Sequence, residues 1–175
     1  MPDGISDGAA LAAFDICGAP LIAVNHAKVG DTVFVLGLGK AGKAVMAALR
    51  YRFGDKVTLL GADANEVALD FCAKNYGAIT AKLNAQDPIE VLSWVEKNTQ
   101  GELADFVINL VNVPHTEMPT ILSTKDTGKS LFFSMATDFQ KATLGCESVA
   151  KDVTLLMGIG YTKGHADFMI EVLRK

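Results

Sequence analysis

Long apolar runs, an excess of basic residues, paired cysteines and proline are all scarce in this 175-residue chain. No apolar stretch approaches the roughly 20 residues that a membrane-spanning helix needs, so no membrane partner is expected. Sixteen Lys plus Arg against twenty Asp plus Glu leave a net charge of −4. Nucleic-acid phosphates demand a basic face, so no nucleic-acid partner is expected either. The three cysteines, Cys17, Cys72 and Cys146, are odd in number and far apart, and none lies in a CxxC or a Cys/His pair at metal spacing. They read as small buried hydrophobes in a reducing cytoplasm, with neither a disulfide framework nor a metal site. Met1-Pro2-Asp3-Gly4 lacks the basic segment and apolar stretch of a secretory leader, so the expected location is cytoplasmic. Only five residues are proline, and half are hydrophobic. Such a chain buries about two thirds of its unfolded surface in one core, which excludes disorder.

What is present alternates between two periods. Val33-Phe34-Val35-Leu36 is a continuous apolar run of the kind a strand buried on both faces needs. Ala41, Ala44, Val45, Ala48 and Leu49 then recur at helical spacing. Val57–Leu60 predicts a second strand, Glu66–Tyr76 a helix and Ala78–Ala81 a third strand. Asp87-Pro88-Ile89-Glu90 opens a further helix, with Asp87 as cap and Pro88 in the first position. Phe106–Val111, Leu131–Ser134 and Val153–Met157 complete six strands, and a last helix is expected from His165. Strands alternating with helices predict an α/β protein with a doubly wound parallel sheet, helices covering both faces. Residues 1–28 read as a helical segment leading into the fold, with a helix over Ser6–Ile16 stopped by Gly18 and another turn beginning at Pro20. Residues 29–175 read as the nucleotide-binding domain.

Gly37-Leu38-Gly39-Lys40-Ala41-Gly42 is a GxGxxG placed where a strand passes into a helix, the setting that gives the motif meaning. Gly37 permits the tight turn, Gly39 lets the backbone approach a pyrophosphate, and Gly42 allows helix and strand to pack closely. The helix N-terminus offers unpaired N–H groups to the phosphates, and Lys40 stands beside them as a phosphate neighbour or a solvated side chain. Asp63 follows Gly42 by 21 residues. Its carboxylate suits the adenosine ribose hydroxyls, or caps the helix starting near Asn65, or does both. A 2′-phosphate there would meet like charge with no Lys or Arg between Gly61 and Val67 to offset it, so NAD is expected over NADP.

Ligands on such sheets sit outside the carboxyl ends of the strands. Val111, Asn112 and Ser134 are therefore expected beside a nicotinamide ring. His115 and Glu117 are the titratable side chains after the fourth strand, and they are the candidates for acid–base work if they are not simply solvated loop residues. Standard catalytic sets are missing. Tyr51, Tyr76 and Tyr161 are not followed four positions later by lysine, and neither a GxSxG elbow nor a GxxxxGK[ST] loop occurs. The residues alone leave three readings open: a dehydrogenase domain, a ligand-sensing module such as a channel-gating domain, and a methyltransferase, whose spacing fits less well.

An Ala-rich helix, then Val29-Gly30-Asp31-Thr32-Val33, then the glycine loop resembles the nucleotide-binding domain of the medium-chain dehydrogenases. Val111-Asn112-Val113-Pro114, Thr116-Glu117-Met118, Phe133-Ser134-Met135-Ala136-Thr137 and Gly160-Tyr161-Thr162-Lys163 are similar to the L-erythro-3,5-diaminohexanoate dehydrogenase family in particular. That resemblance implies NAD-dependent oxidative deamination of a small amino-acid substrate in lysine fermentation, giving a 5-amino-3-oxo acid and ammonia. It further implies a substrate domain that this chain lacks, so that the chain by itself is inactive, and a homodimer formed through the last strand. Zinc ligands of many medium-chain relatives belong to that other domain, so their absence here decides nothing.

Overall fold

The computed structural model describes residues 4, 6–16, 18–158 and 160–174, without the side chains at 9, 12, 13 and 146. Six strands form one parallel sheet: β1 (Thr32–Leu36), β2 (Thr58–Asp63), β3 (Ile79–Lys82), β4 (Ala104–Asn109), β5 (Thr124–Phe132) and β6 (Thr154–Met157). Their spatial order is β3-β2-β1-β4-β5-β6, and each neighbouring pair runs parallel. This is the doubly wound Rossmann arrangement, in which the order reverses between β1 and β4 and opens a crevice at their carboxyl ends.

The apolar run of β1 shows why such a strand cannot alternate. Val33 and Val35 join one core, with Leu59, Phe106 and Ile108. Phe34 and Leu36 join the other, with Leu60, Ala62 and Val107. Successive side chains point to opposite faces, and here both faces are dry. The first core is closed by α2 (Gly18–His26), α3 (Lys40–Phe53), α4 (Glu66–Tyr76) and α9 (His165–Leu173). The second is closed by α5 (Pro88–Asn98) through Val91 and Val95. A satellite cluster of Ile121, Phe132 and Ala142 seats α6 (Glu117–Leu122) and α7 (Phe139–Leu144) beside it, and the short α8 (Cys146–Val149) follows.

Capping follows the sequence closely where the signal is local. The Asp87 carboxylate accepts the N–H groups of Ile89 and Glu90, both at 3.0 Å, so α5 starts at Pro88 as expected. Cys72 is buried and free, whereas Cys17 and the Cys146 side chain lie outside what is described. Among the described residues no helix is long and apolar enough to cross a membrane.

Four features differ from the sequence reading. Gly18 is the first residue of α2, not a stop after α1 (Asp7–Ile16), and a Cβ there would stand 1.7 Å from the Gly160 carbonyl oxygen. Pro20 falls in the first turn of α2, where its missing N–H costs no hydrogen bond. Ala19, Leu21, Ala23 and Val24 thereby enter the main core, so the lead before β1 is built into the fold. β4 ends at Asn109, two residues early, because the Asn109 Oδ1 takes the Val111 N–H at 3.0 Å and turns the chain out of the sheet. β5 begins seven residues early, at Thr124, through an irregularity opposite β4. Finally, Glu117 is not a loop residue: it opens α6 and is buried.

Candidate functional site

The glycine loop is shaped by two contacts. Gly37 has φ +98°, a conformation that side chains rarely adopt, and a Cβ there would press within 3.1 Å of the Leu110–Val111 peptide. A Cβ on Gly42 would fall 2.1 Å from the Gly37 carbonyl oxygen, so α3 leans directly on the turn that precedes it. Leu38 between them is fully buried and reaches toward Gly61 on β2. Gly39 is different. Its φ of −64° is open to any residue, and a Cβ would meet nothing within 4 Å. The fold itself does not need a glycine at this position.

Gly39 is the N-cap of α3 and has no side chain to cap with, whereas α4, α5 and α7 are capped by Asn65, Asp87 and Asp138. The first amides of a 14-residue helix, from the exposed Lys40 through Ala41, are left without a side-chain acceptor. They border a cleft of about 420 Å³ whose lining includes Gly37, Gly39, Asp63, Leu83, Asn84, Val111 and Asn112. Its size and position at the carboxyl ends of β1, β2 and β4 suit part of a dinucleotide.

Asp63 is the last residue of β2 and lies on this cleft. Its Oδ2 accepts the N–H of Leu38 at 2.6 Å, and its Oδ1 accepts the N–H of Asn65 at 2.8 Å. Capping of α4 falls to Asn65, whose Oδ1 takes Val67 N–H at 2.9 Å and Ala68 N–H at 3.3 Å. Asp63 therefore braces the glycine loop and does not cap the helix. The sheet register sets Lys82 of β3 beside Asp63, a cation that the sequence stretch around Asp63 does not reveal. Lys82 is already engaged by Glu66 of α4 at 2.9 Å, and that hydrogen bond and charge hold the Glu66 carboxyl below its ordinary range. Burial pushes the Cys72 thiol up, Lys43 opposes it to a smaller extent, and Asp63 adds to it.

The structure brings Gly37, Gly39, Asp63, Val111 and Asn112 together on the cleft. Ser134 is not among the lining residues. It sits just past β5, 7% exposed, with its Oγ accepting the Ala136 N–H at 3.1 Å. His115 and Glu117 are also elsewhere: they line a second cavity of about 420 Å³ with Met118, Lys141 and Glu147. The two cavities share Gln86, which donates through Nε2 to the Pro114 carbonyl at 2.9 Å.

One positioning residue escaped the sequence reading. Asn109 is fully buried at the end of β4, and its Nδ2 donates to Thr116 Oγ1 at 2.8 Å and Thr120 Oγ1 at 2.9 Å. With Oδ1 on Val111 N–H, it pins both ends of the segment that walls the cleft. The available signal was a lone amide inside an otherwise apolar run, since a buried amide must find partners.

No protein-family model matches the chain. It is 39% identical over its whole length to L-erythro-3,5-diaminohexanoate dehydrogenase of Acetoanaerobium sticklandii, covering 52% of that protein. It is 37% identical to the enzyme of the same name from Fusobacterium nucleatum, covering 51% of it. Thus the chain spans about half the length of the curated relatives it matches. Among solved structures, the alcohol dehydrogenase of Aeropyrum pernix superposes with a TM-score of 0.79 over 99% of this chain and 50% of its own. At 18% identity that likeness speaks for the fold alone. Over its full length, the chain is a homologue of one half of the L-erythro-3,5-diaminohexanoate dehydrogenases, carried on a Rossmann fold.

Proposed function

We propose that this chain is the NAD-binding domain of an oxidoreductase that oxidatively deaminates L-erythro-3,5-diaminohexanoate. The observation that carries the reading is Gly39: a glycine that the fold does not require, at an uncapped helix start, bordering a cleft that the Asp63 carboxylate also lines. The α3 amides hold the pyrophosphate, and Asp63 takes the adenosine ribose hydroxyls while keeping its bond to Leu38. Val111 and Asn112 share the cleft with Asp63 and border the bound dinucleotide, and Ser134, just past the neighbouring strand β5, stays the candidate neighbour of the nicotinamide. Held by the α3 amides and Asp63, NAD would supply the two-electron acceptor for oxidation at C3. Dehydrogenase relatives favour this reading over a sensing module or a methyltransferase.

The groups that hold the substrate belong, on this reading, to a second domain, and this chain alone binds coenzyme without turnover. NAD is the coenzyme because the carboxylate repels a 2′-phosphate and the neighbouring Lys82 is neutralised by Glu66. Calorimetry on the 175-residue chain should give an affinity for NAD at least about tenfold above that for NADP. Tighter NADP binding would overturn the role given to Asp63. The edge of β6 away from β5 pairs with no strand among the described residues, and a second copy across it makes a homodimer. Sedimentation equilibrium should return twice the chain mass; a monomer at all concentrations would refute the pairing.

A further inference from the structure

The second cavity holds a deeply buried glutamate. Glu117 is 2% exposed, yet the described residues give it one hydrogen bond, from the Asp138 N–H to Oε1 at 2.7 Å. No described cation lies within ion-pair distance of it. A carboxylate offers about four acceptor positions, so Glu117 keeps acceptor capacity for a donor entering the cavity. Across the same cavity, Lys141 Nζ lies 2.8 Å from His115 Nδ1. An ammonium has no lone pair, so Lys141 donates, Nδ1 accepts, and the proton of the neutral imidazole sits on Nε2. Lys141, 3.9 Å from the Asp138 carboxylate, and His115 thus contribute a cation and an N–H donor, Glu147 adds a second carboxylate, and Met118 and Pro119 supply apolar wall.

We propose that this cavity is a binding site for a small amino acid. The ammonium group meets Glu117, the carboxylate meets Lys141 and the His115 Nε2–H, and the aliphatic chain lies along Met118. The cavity is large enough for a ligand of that size. Gln86 borders both this cavity and the neighbouring cleft, and its amide donates to the Pro114 carbonyl. The proposal does not depend on what the neighbouring cleft binds.

Saturation-transfer NMR and calorimetry with L-lysine on the 175-residue chain should show saturable binding, weakened at least about tenfold by Glu117→Gln. That variant keeps an acceptor for the Asp138 N–H, and unchanged thermal unfolding will show that it folds. Two half-probes separate the ends: butylamine binding should be lost in Glu117→Gln and kept in Lys141→Met, and butyrate should behave in reverse. Absence of saturable lysine binding to the unaltered chain, or binding indifferent to both substitutions, would overturn the proposal. NAD titrations run on the same samples report on the cleft separately.

Discussion

Replacing Gly39 with leucine should strip the chain of NAD binding while leaving its melting temperature close to that of the parent. The backbone at Gly39 has φ −64°, and the space where a side chain would start is free of protein atoms. The cost to the fold is therefore confined to a poorer N-cap, within about 1 kcal/mol. The cost to the ligand is much larger. A leucine side chain occupies the approach to the α3 amides, and losing two charge-assisted hydrogen bonds from phosphate corresponds to a hundredfold or greater loss, about 3 kcal/mol. Calorimetry with NAD paired with a circular-dichroism melt checks both halves. Retained affinity would remove the pyrophosphate from this helix.

Gly42→Ala should do the opposite: damage the fold first and binding only as a consequence. Its Cβ would sit 2.1 Å from the Gly37 carbonyl oxygen, a backbone atom that cannot swing aside as a side chain could. Relief requires α3 to move off the sheet, and α3 carries Val45, Met46 and Leu49, all fully buried. Overpacking of this kind costs about 3 kcal/mol, a melting-point drop of roughly 6–12 °C in a chain of this size. Differential scanning calorimetry without coenzyme measures it directly. A variant melting like the parent would show that the helix–turn contact has slack. The pair of substitutions separates two glycines of one motif, one kept by the fold and one by the ligand.

Much of this architecture is readable from residues because the signals are local. The run Val33–Leu36, the Asp87-Pro88 start of α5 and the three glycines each announce themselves within a few positions. Where the determinant is distant in sequence, reading fails. The bond from Leu38 N–H to Asp63 spans 25 residues, and Lys82 reaches Asp63 only through the sheet register. The short helices α6 to α8, of four to six residues, contain less than two turns and so no apolar period to detect. For that reason Glu117 reads as a loop residue in the sequence, whereas in the fold it is buried and accepts the Asp138 N–H at the start of α7.

The bond between Asp63 and Leu38 bears on how such a protein can change its coenzyme. On the proposed function, the carboxylate that would discriminate between the two nicotinamide dinucleotides also fastens the first crossover. Exchanging the acid for a neutral residue would lift the proposed repulsion and, in the same stroke, untie the Leu38 peptide that Asp63 holds. Conversion of preference along an evolutionary or engineered path therefore requires at least a pair of changes, one to admit the extra phosphoryl group and another to re-anchor the loop.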